Sequence, residues 1–338
     1  MRRTLDALVV LAAPCVLVIA TALLATTLSA ANEIYALNAI VGVSIVVGLY
    51  VFVGNSGVVS FGHVSFVAVG AFSAGLMSIP VESKTGVLPD VYPFLRDTTY
   101  SNIVTLLIAA AAGGVFALVV GVPLMRLNGL AAGIATFAVL EITHNVLRNW
   151  TKIGPGPTTL SLVPETTGLR QATAGALIVI VIAWAYQRSR PGRLLRATSM
   201  DPAAAQAVGV NVHRQRLWAF ALSGALCGFA GGLLVHFIGS MTTEEVYLEL
   251  TFLSLAMLVI GGATSLWGAV VGALVVSGID SFLIQAEESI DVVGRTLDLP
   301  EGTRLVALGV LMALALILRP SGLTGGREVR LPRRIRST

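Results

Sequence analysis

The chain has 338 residues, 55% of them hydrophobic and only 12% charged, about half the charged share of a soluble domain, and its mean hydropathy is +0.85. A soluble fold has no way to hide so much apolar surface, because a single core stops growing at a few hundred residues. Despite a net charge of +4 and a pI near 9.4, this composition excludes a soluble enzyme, a disordered protein and a nucleic-acid binder.

A membrane helix needs about 20 apolar residues. Ten stretches meet that length, at roughly 7–29, 34–53, 58–79, 103–125, 130–147, 172–187, 216–238, 248–263, 266–285 and 303–318. The first follows Arg2 and Arg3. Its apolar run exceeds the about 7–15 residues of a signal-peptide core, so a retained helix is expected rather than a leader cleaved near Ser29-Ala30-Ala31. From the end of the second stretch into the third, Gly54, Gly57, Gly62 and Gly70 follow closely, each weakening a helix by about 1 kcal/mol relative to Ala. Irregular backbone at membrane depth survives only under protein or beside water. A bent or re-entrant approach to the third span is therefore expected. Its polar residues Ser60 and His63 either serve close helix packing or face a polar path across the membrane.

On the fifth stretch, Glu141, His144, Asn145 and Arg148 fall at i, i+3, i+4 and i+7 and share one helix face. Ionisable residues in a span are costly and usually face an interior cavity. Glu141 is expected to pair with His144 or Arg148, and the alternative is a structural polar cluster near the outer end. Asp280, on the ninth stretch, is a second and isolated candidate. The segment 188–216 is polar. Within it, Asp201 suits an N-cap, Pro202 the first helical position and Gly209 the left-handed C′ position. A separately capped helix of about two turns, mostly alanine, is expected there. Cys15 and Cys227 lie in apolar runs and read as small core residues. The last residues, 321–338, form a basic tail expected to be flexible.

Loops rich in Lys and Arg face the cytoplasm. With the N-terminus inside and ten spans, the inner segments hold 15 of the 22 basic residues and only 3 of the 18 acids. Both termini are therefore expected in the cytoplasm, and residues 1–320 form one membrane domain. Ten spans divide into five plus five, and an odd number per half would invert the second half relative to the first. The small-residue breaks Gly54-Asn55-Ser56-Gly57 and Gly261-Gly262-Ala263-Thr264-Ser265 do not align well enough to establish such a repeat.

The sequence lacks a G-x-x-x-x-G-K-[ST] loop, an H-E-x-x-H helix, paired cysteines and a G-x-S-x-G elbow. No catalytic or metal-binding set is expected, and no cofactor on this chain. If ATP powers it, another chain binds the nucleotide.

Several segments, in order, resemble the permeases of branched-chain amino acid ATP-binding-cassette transporters, specifically the LivM-like branch. They are Gly57-x-x-Ser60-Phe61-Gly62-His63-x-x-Phe66-x-x-x-Gly70-Ala71-Phe72, Arg126-Leu127-Asn128-Gly129-Leu130-Ala131-Ala132-Gly133, Gly192-Arg193-x-Leu195-Arg196-Ala197 with Ala204-Ala205-x-Ala207-x-Gly209-Val210, Leu217-x-Ala219-Phe220-x-x-Ser223, and Val259-Ile260-Gly261-Gly262-x-x-Ser265-x-x-Gly268. The resemblance covers about 34–320. It implies an all-α, polytopic permease of about ten transmembrane helices in the bacterial inner membrane. It also implies a related second permease, two cytoplasmic ATP-binding subunits and an extracytoplasmic binding protein. The implied activity is import of branched-chain or other small amino acids by alternating access, with urea or short amides as the alternative cargo. The cytoplasmic loop 188–216 would dock the ATPase through Arg193, Arg196, Asp201, Ala204, Ala205 and Gly209. Ser60, His63, Glu141, His144 and Asn145 are the candidate pathway residues. A different class stays open, an ion-coupled secondary transporter using Glu141, His144 or Asp280.

Overall fold

The computed structural model describes residues 2–27, 30–88, 90–287, 290–292, 295–297, 302–319 and 321–329. Its helices are α1 (Arg2–Ala25), α2 (Ala30–Ser56), α3 (His63–Ser78), α4 (Val81–Val87), α5 (Pro93–Arg96), α6 (Asn102–Leu124), α7 (Gly129–Asn149), α8 (Leu169–Arg188), α9 (Arg190–Met200), α10 (Pro202–Ala207), α11 (Val212–Ile238), α12 (Leu248–Gly261), α13 (Leu266–Glu287) and α14 (Thr303–Leu318). The one departure from all-α architecture among the described residues is a hairpin of two three-residue strands, β1 (Ile290–Val292) and β2 (Arg295–Leu297). Seven of these helices, α1, α2, α6, α7, α8, α11 and α13, are long and apolar enough to cross a membrane, and α3, α12 and part of α14 are shorter apolar helices. These are the ten stretches expected from the sequence.

The centre of the bundle is the pair α2 and α11. They run antiparallel: the Ser223 hydroxyl donates to the Gly48 carbonyl at 2.6 Å, and one turn on the Cys227 thiol lies 3.9 Å from the Ile45 carbonyl. Around this pair, α3 and α6 pack on α11, while α12 and α13 pack on α2. The N-terminal helix α1 lies against α8, α2 and α13.

That arrangement is an inverted repeat. Both central helices are 27 residues long, and each is followed by a left-handed glycine, Gly57 at φ 69° and Gly239 at φ 75°. Placing these glycines in register sets Ile45 on Cys227, so that their contact lies on the pseudo-twofold axis. It also sets Ser60 and His63 on Thr242 and Glu245. Each pair makes a side-chain hydrogen bond across three residues, at 2.7 and 3.0 Å, at the approach to the short helices α3 and α12. The counterpart of the break at Gly57 is thus Gly239 and not the run Gly261 to Ser265. Non-helical backbone at 57–62 is covered by α7: the Phe61 amide donates to the Thr136 hydroxyl at 3.1 Å.

Segments assigned alternately to two sides separate in space in the same way. At one end, Gly57 faces Ser199, Gly54 faces the Ala263 carbonyl, and Arg216 bonds the Asn128 side chain at 2.6 Å. At the other end, Tyr92 bonds Lys152, Leu160 pairs with Met241, and Arg148 reaches Glu244. There too, the buried Lys84 ammonium donates to the carbonyls of Leu95 and Thr98 at 3.0 and 2.5 Å, and burial pushes its pKa down.

The tail departs from expectation over 321–329. The Leu323 and Thr324 amides donate to the carbonyls of Ile260 and Gly261. Thr264 donates to Gly326. The Glu328 carboxylate accepts from the amides of Leu266 and Trp267 at 2.8 and 3.2 Å, capping the first turn of α13. This part of the tail is a strap folded over the turn between α12 and α13. The rest, 330–338, lies outside the described residues.

Helix approach is set by glycine. A Cβ on Gly231 would stand 2.1 Å from the Val67 carbonyl oxygen, whereas one on Gly278 would meet nothing within 4 Å. Gly231→Ala should therefore lower thermal stability in detergent by about 1–3 kcal/mol, the usual effect of overpacking. Gly278→Ala should stay within about 0.5 kcal/mol of the parent. Equal melting of the two variants would contradict this packing.

Candidate functional site

Two regions carry polar or exposed features that helix packing does not require. They sit at opposite ends of the bundle. Near the first, the expected face of α7 is present, but its partners differ from those expected. Glu141 pairs with neither His144 nor Arg148. It accepts from the Tyr247 hydroxyl and from the Asn145 amide at 2.7 Å. Tyr247 stacks on the His144 ring with centroids 4.0 Å apart. Glu244 lies 3.5 Å from His144 Nε2 and 3.3 Å from an Arg148 guanidinium nitrogen. The bond to Glu141 pushes the Tyr247 hydroxyl up to about 12, so it stays a donor near neutral pH. Tyr247 and Glu244 come from the break between α11 and α12. They were not singled out in the sequence, because no local spacing links them to α7. Beside this cluster, Glu141, Ile142, Asn145, Asn149 and Trp150 line an open depression on the outer face of α7.

Ser60 and His63 lie at the other end and do not join this cluster. His63 Nδ1 is 2.7 Å from the Ser60 hydroxyl, and the rings of Phe52, Phe66 and Phe220 surround the imidazole with centroids 5.5, 5.5 and 5.2 Å away. Both residues are buried.

Asp280 is not isolated. Its carboxylate receives two bonds from Arg304, at 2.5 and 3.1 Å. Arg304 also meets Glu249 at 2.9 Å, and its amide donates to Glu287. The pair ties α13 to the start of α14, a link across 24 residues that helical periodicity does not reveal.

The second region is α9 with α10. The N-cap expected at Asp201 is present: its carboxylate accepts from the amides of Ala203 and Ala204, both at 3.0 Å. Pro202 starts α10, and Gly209 takes φ 84°. The preceding helix α9 was not expected. Its signal was Ser189 ahead of Pro191, and the Ser189 hydroxyl indeed accepts from the Gly192 amide at 3.2 Å. α9 is amphipathic, burying Gly192, Leu195 and Thr198. On α10 the inward residue is Ala205, while Met200 and Val208 are 89% and 80% exposed. Ala203, Ala204 and Ala207 are exposed beside them. Ala205 therefore belongs to this chain's own packing and not to the surface open to a partner. Arg193 and Arg196 also point away from that surface, into a cavity beside α1.

Residues 33–316 match the family described as branched-chain amino acid transport system / permease component. The chain belongs to this family. It is 29% identical over 306 residues to the high-affinity branched-chain amino acid transport system permease protein LivM of Escherichia coli, which covers 80% of this chain and 64% of that relative. It is 27% identical over 219 residues to the autoinducer 2 import system permease protein LsrC of an Enterobacter species, covering 62% and 64%. It is 30% identical over 156 residues to a probable branched-chain amino acid transport permease protein LivH of Methanocaldococcus jannaschii, covering 44% and 45%. The chain thus spans less than two thirds of the length of these relatives. Family and helices together make it a multi-pass plasma-membrane protein of this permease family.

The two acidic sites should respond differently to neutralisation. Asp280→Asn leaves Arg304 short of a charge partner and should destabilise the chain, toward the low end of the about 3–5 kcal/mol for a broken buried pair because Glu249 remains. Glu141→Gln keeps an acceptor for Tyr247 and should leave yield and the pH profile of uptake unchanged. Thermal unfolding and uptake at several pH values check both. A pH dependence lost in Glu141→Gln at normal yield would contradict the structural role.

Proposed function

We propose that the chain is a transmembrane subunit of an ATP-driven importer for branched-chain or other small amino acids, with α9–α10 as the surface on which a cytoplasmic ATPase docks. The observation that carries this is the exposed face of Met200, Ala203, Ala204, Ala207 and Val208 on a rigidly capped helix. Large apolar side chains left in water on a capped, ordered helix mark an interaction surface. Small alanines let a partner backbone approach. The similarity to LivM supports amino acids as the cargo, and the similarity to LsrC keeps a different small solute as the alternative.

The concentration of Arg and Lys supports a cytoplasmic position for the end carrying α9 and α10, together with both termini. The open face of α7 then lies toward the outer half of the membrane. It bears both signs of charge, with Glu141 and Arg148 two turns apart and Asn145 and Asn149 between and beyond them. That face suits a zwitterionic solute passing between this chain and a second, related permease. ATP binding would draw the two ATPases together and move the docking helices, and the cavity between the permeases would open to the other side. An extracytoplasmic binding protein would deliver the solute. The ATPase states must differ in affinity for the two permease conformations, or nothing shifts.

Ala204→Glu and Met200→Glu put a charge where a docked partner excludes water, and burying an unpaired charge is costly. On a free surface they should cost at most about 0.5 kcal/mol. Both variants should reach normal abundance, yet lose ATPase co-purification and at least tenfold in uptake. Ala205→Glu should instead lower abundance, because Ala205 is internal. Full uptake with Ala204→Glu and Met200→Glu combined would overturn the docking surface. Single cysteines at Asp90 and Glu245 should react with an impermeant thiol reagent from outside, and one at Ser199 should not. Outside labelling of Ser199 would reverse the orientation.

A further inference from the structure

The polar depression on α7 has an apolar neighbour. α7 packs on α3 more than on α6, and the gap between the three helices is a cavity of about 330 Å³, within the about 300–1,000 Å³ of small-molecule sites. Phe72 and Leu76 of α3, Phe116 of α6 and Leu147 of α7 line it. Leu95 and Ile153 add to the wall from two segments joined by the bond of the Tyr92 amide to the Lys152 carbonyl. Among the described residues, its polar lining is Ser73 and Thr143. Neither calls for a polar ligand. The Ser73 hydroxyl donates to the Gly70 carbonyl at 3.0 Å, and the Thr143 hydroxyl to the Val139 carbonyl at 2.8 Å. The cavity therefore suits an apolar group.

The cavity and the depression share a border. Ile142 and Val146, one turn apart on α7, line both. At about 100° per residue, Asn145 and Asn149 fall on one side of this pair and Thr143 and Leu147 on the other. Ile142 is 62% exposed, so the border is open from the polar side. An amino acid with a branched aliphatic side chain is divided in the same way, with both charges on one carbon and the apolar branch one bond away. We propose that this cavity is the side-chain subsite for the solute. It takes the aliphatic branch across Ile142 and Val146, while the ammonium and carboxylate groups stay on the polar face of α7. The proposal rests on the amino acid cargo of the proposed function and deepens it, because it assigns selectivity for side-chain size to Ser73 and Phe116. Phe116, held edge-on by Phe66 with centroids 5.8 Å apart, is the bulk that bounds the space. Ser73 is small and leaves that space free.

The test measures uptake of labelled leucine and alanine by cells whose sole copy of this chain is the parent or a variant. Uptake by cells lacking the chain is subtracted, and the remainder is divided by the amount of chain in the membrane. The same partners serve parent and variants, so a changed ratio of the two solutes comes from this chain. Ser73→Leu fills the cavity and should lower the leucine-to-alanine ratio about tenfold, since one methylene group in an apolar pocket discriminates by about 10–200-fold. Adding Phe116→Ala returns the lost volume and should restore most of the ratio, a gain that misfolding has no way to produce. A ratio unchanged by Ser73→Leu would make the cavity a lipid-filled gap and overturn the subsite. Leucine and alanine uptake falling in equal proportion would overturn it as well, and so would a double variant that restores none of the ratio. Absence of both uptakes in the parent would instead remove the amino acid cargo, and the subsite with it.

Discussion

Lipid tails are as apolar as leucine, so membrane helices gain little by hiding leucines from them and must gain instead by approaching closely. In this chain that approach is centred on α11. Gly224 and Gly228 pack against Gly113 and Ala109 of α6, Gly70 of α3 meets Gly228, and Gly231 meets the Val67 carbonyl. Backbone lies on backbone, and a single methyl group would separate the helices. The same helix crosses α2 at Ile45 and Cys227, where the two halves meet. The antiparallel crossing, the paired glycines Gly57 and Gly239 and the short helices α3 and α12 all follow from this centre. Elements away from it are held more lightly. α7 touches mainly α3, and α10 rests chiefly on α9. These lightly held elements carry the polar face of α7 and the exposed face proposed for docking, and local opening concentrates where packing is light.

Much of this was legible in the sequence, because bilayer thickness imposes a length and lipid imposes a composition. All ten apolar stretches became helices near their expected bounds, and Asp201, Pro202 and Gly209 took the capping roles that their chemistry favours. These are local rules. What stayed hidden is non-local. Asp280 read as isolated because Arg304 lies on the next helix. Glu141 was matched to neighbours on its own helix, whereas its partner Tyr247 is 106 residues away. The direction of Ala205 depends on how α10 rests on α9, and α9 itself was read as loop. The repeat was sought in the wrong pair of glycine-rich breaks, since loops of unequal length hide the register that the folded helices reveal.

The tail shows how charge and fold divide. Its arginines count toward the expected orientation, while the described part, 321–329, is held by backbone bonds to Ile260 and Gly261 and by one carboxylate on α13. Glu328 thus stands between the second half of the repeat and the arginines of α9. A movement of α9 would reach α12 and α13 through this strap and the first half through the contact of Ser199 with Gly57. Both halves therefore meet the α9–α10 element at defined points.

Asp280 is paired with Arg304 and Glu141 is bonded to Tyr247, so neither acid stands without a partner, and the proposed ATP-driven mechanism can be set directly against ion coupling. The most direct measurement is amino acid uptake into vesicles holding this chain with its co-purified partners, with ion gradients collapsed by ionophores. Uptake that requires ATP and persists without gradients is the predicted result. Uptake that needs no ATP and stops when the gradients are removed would contradict the account.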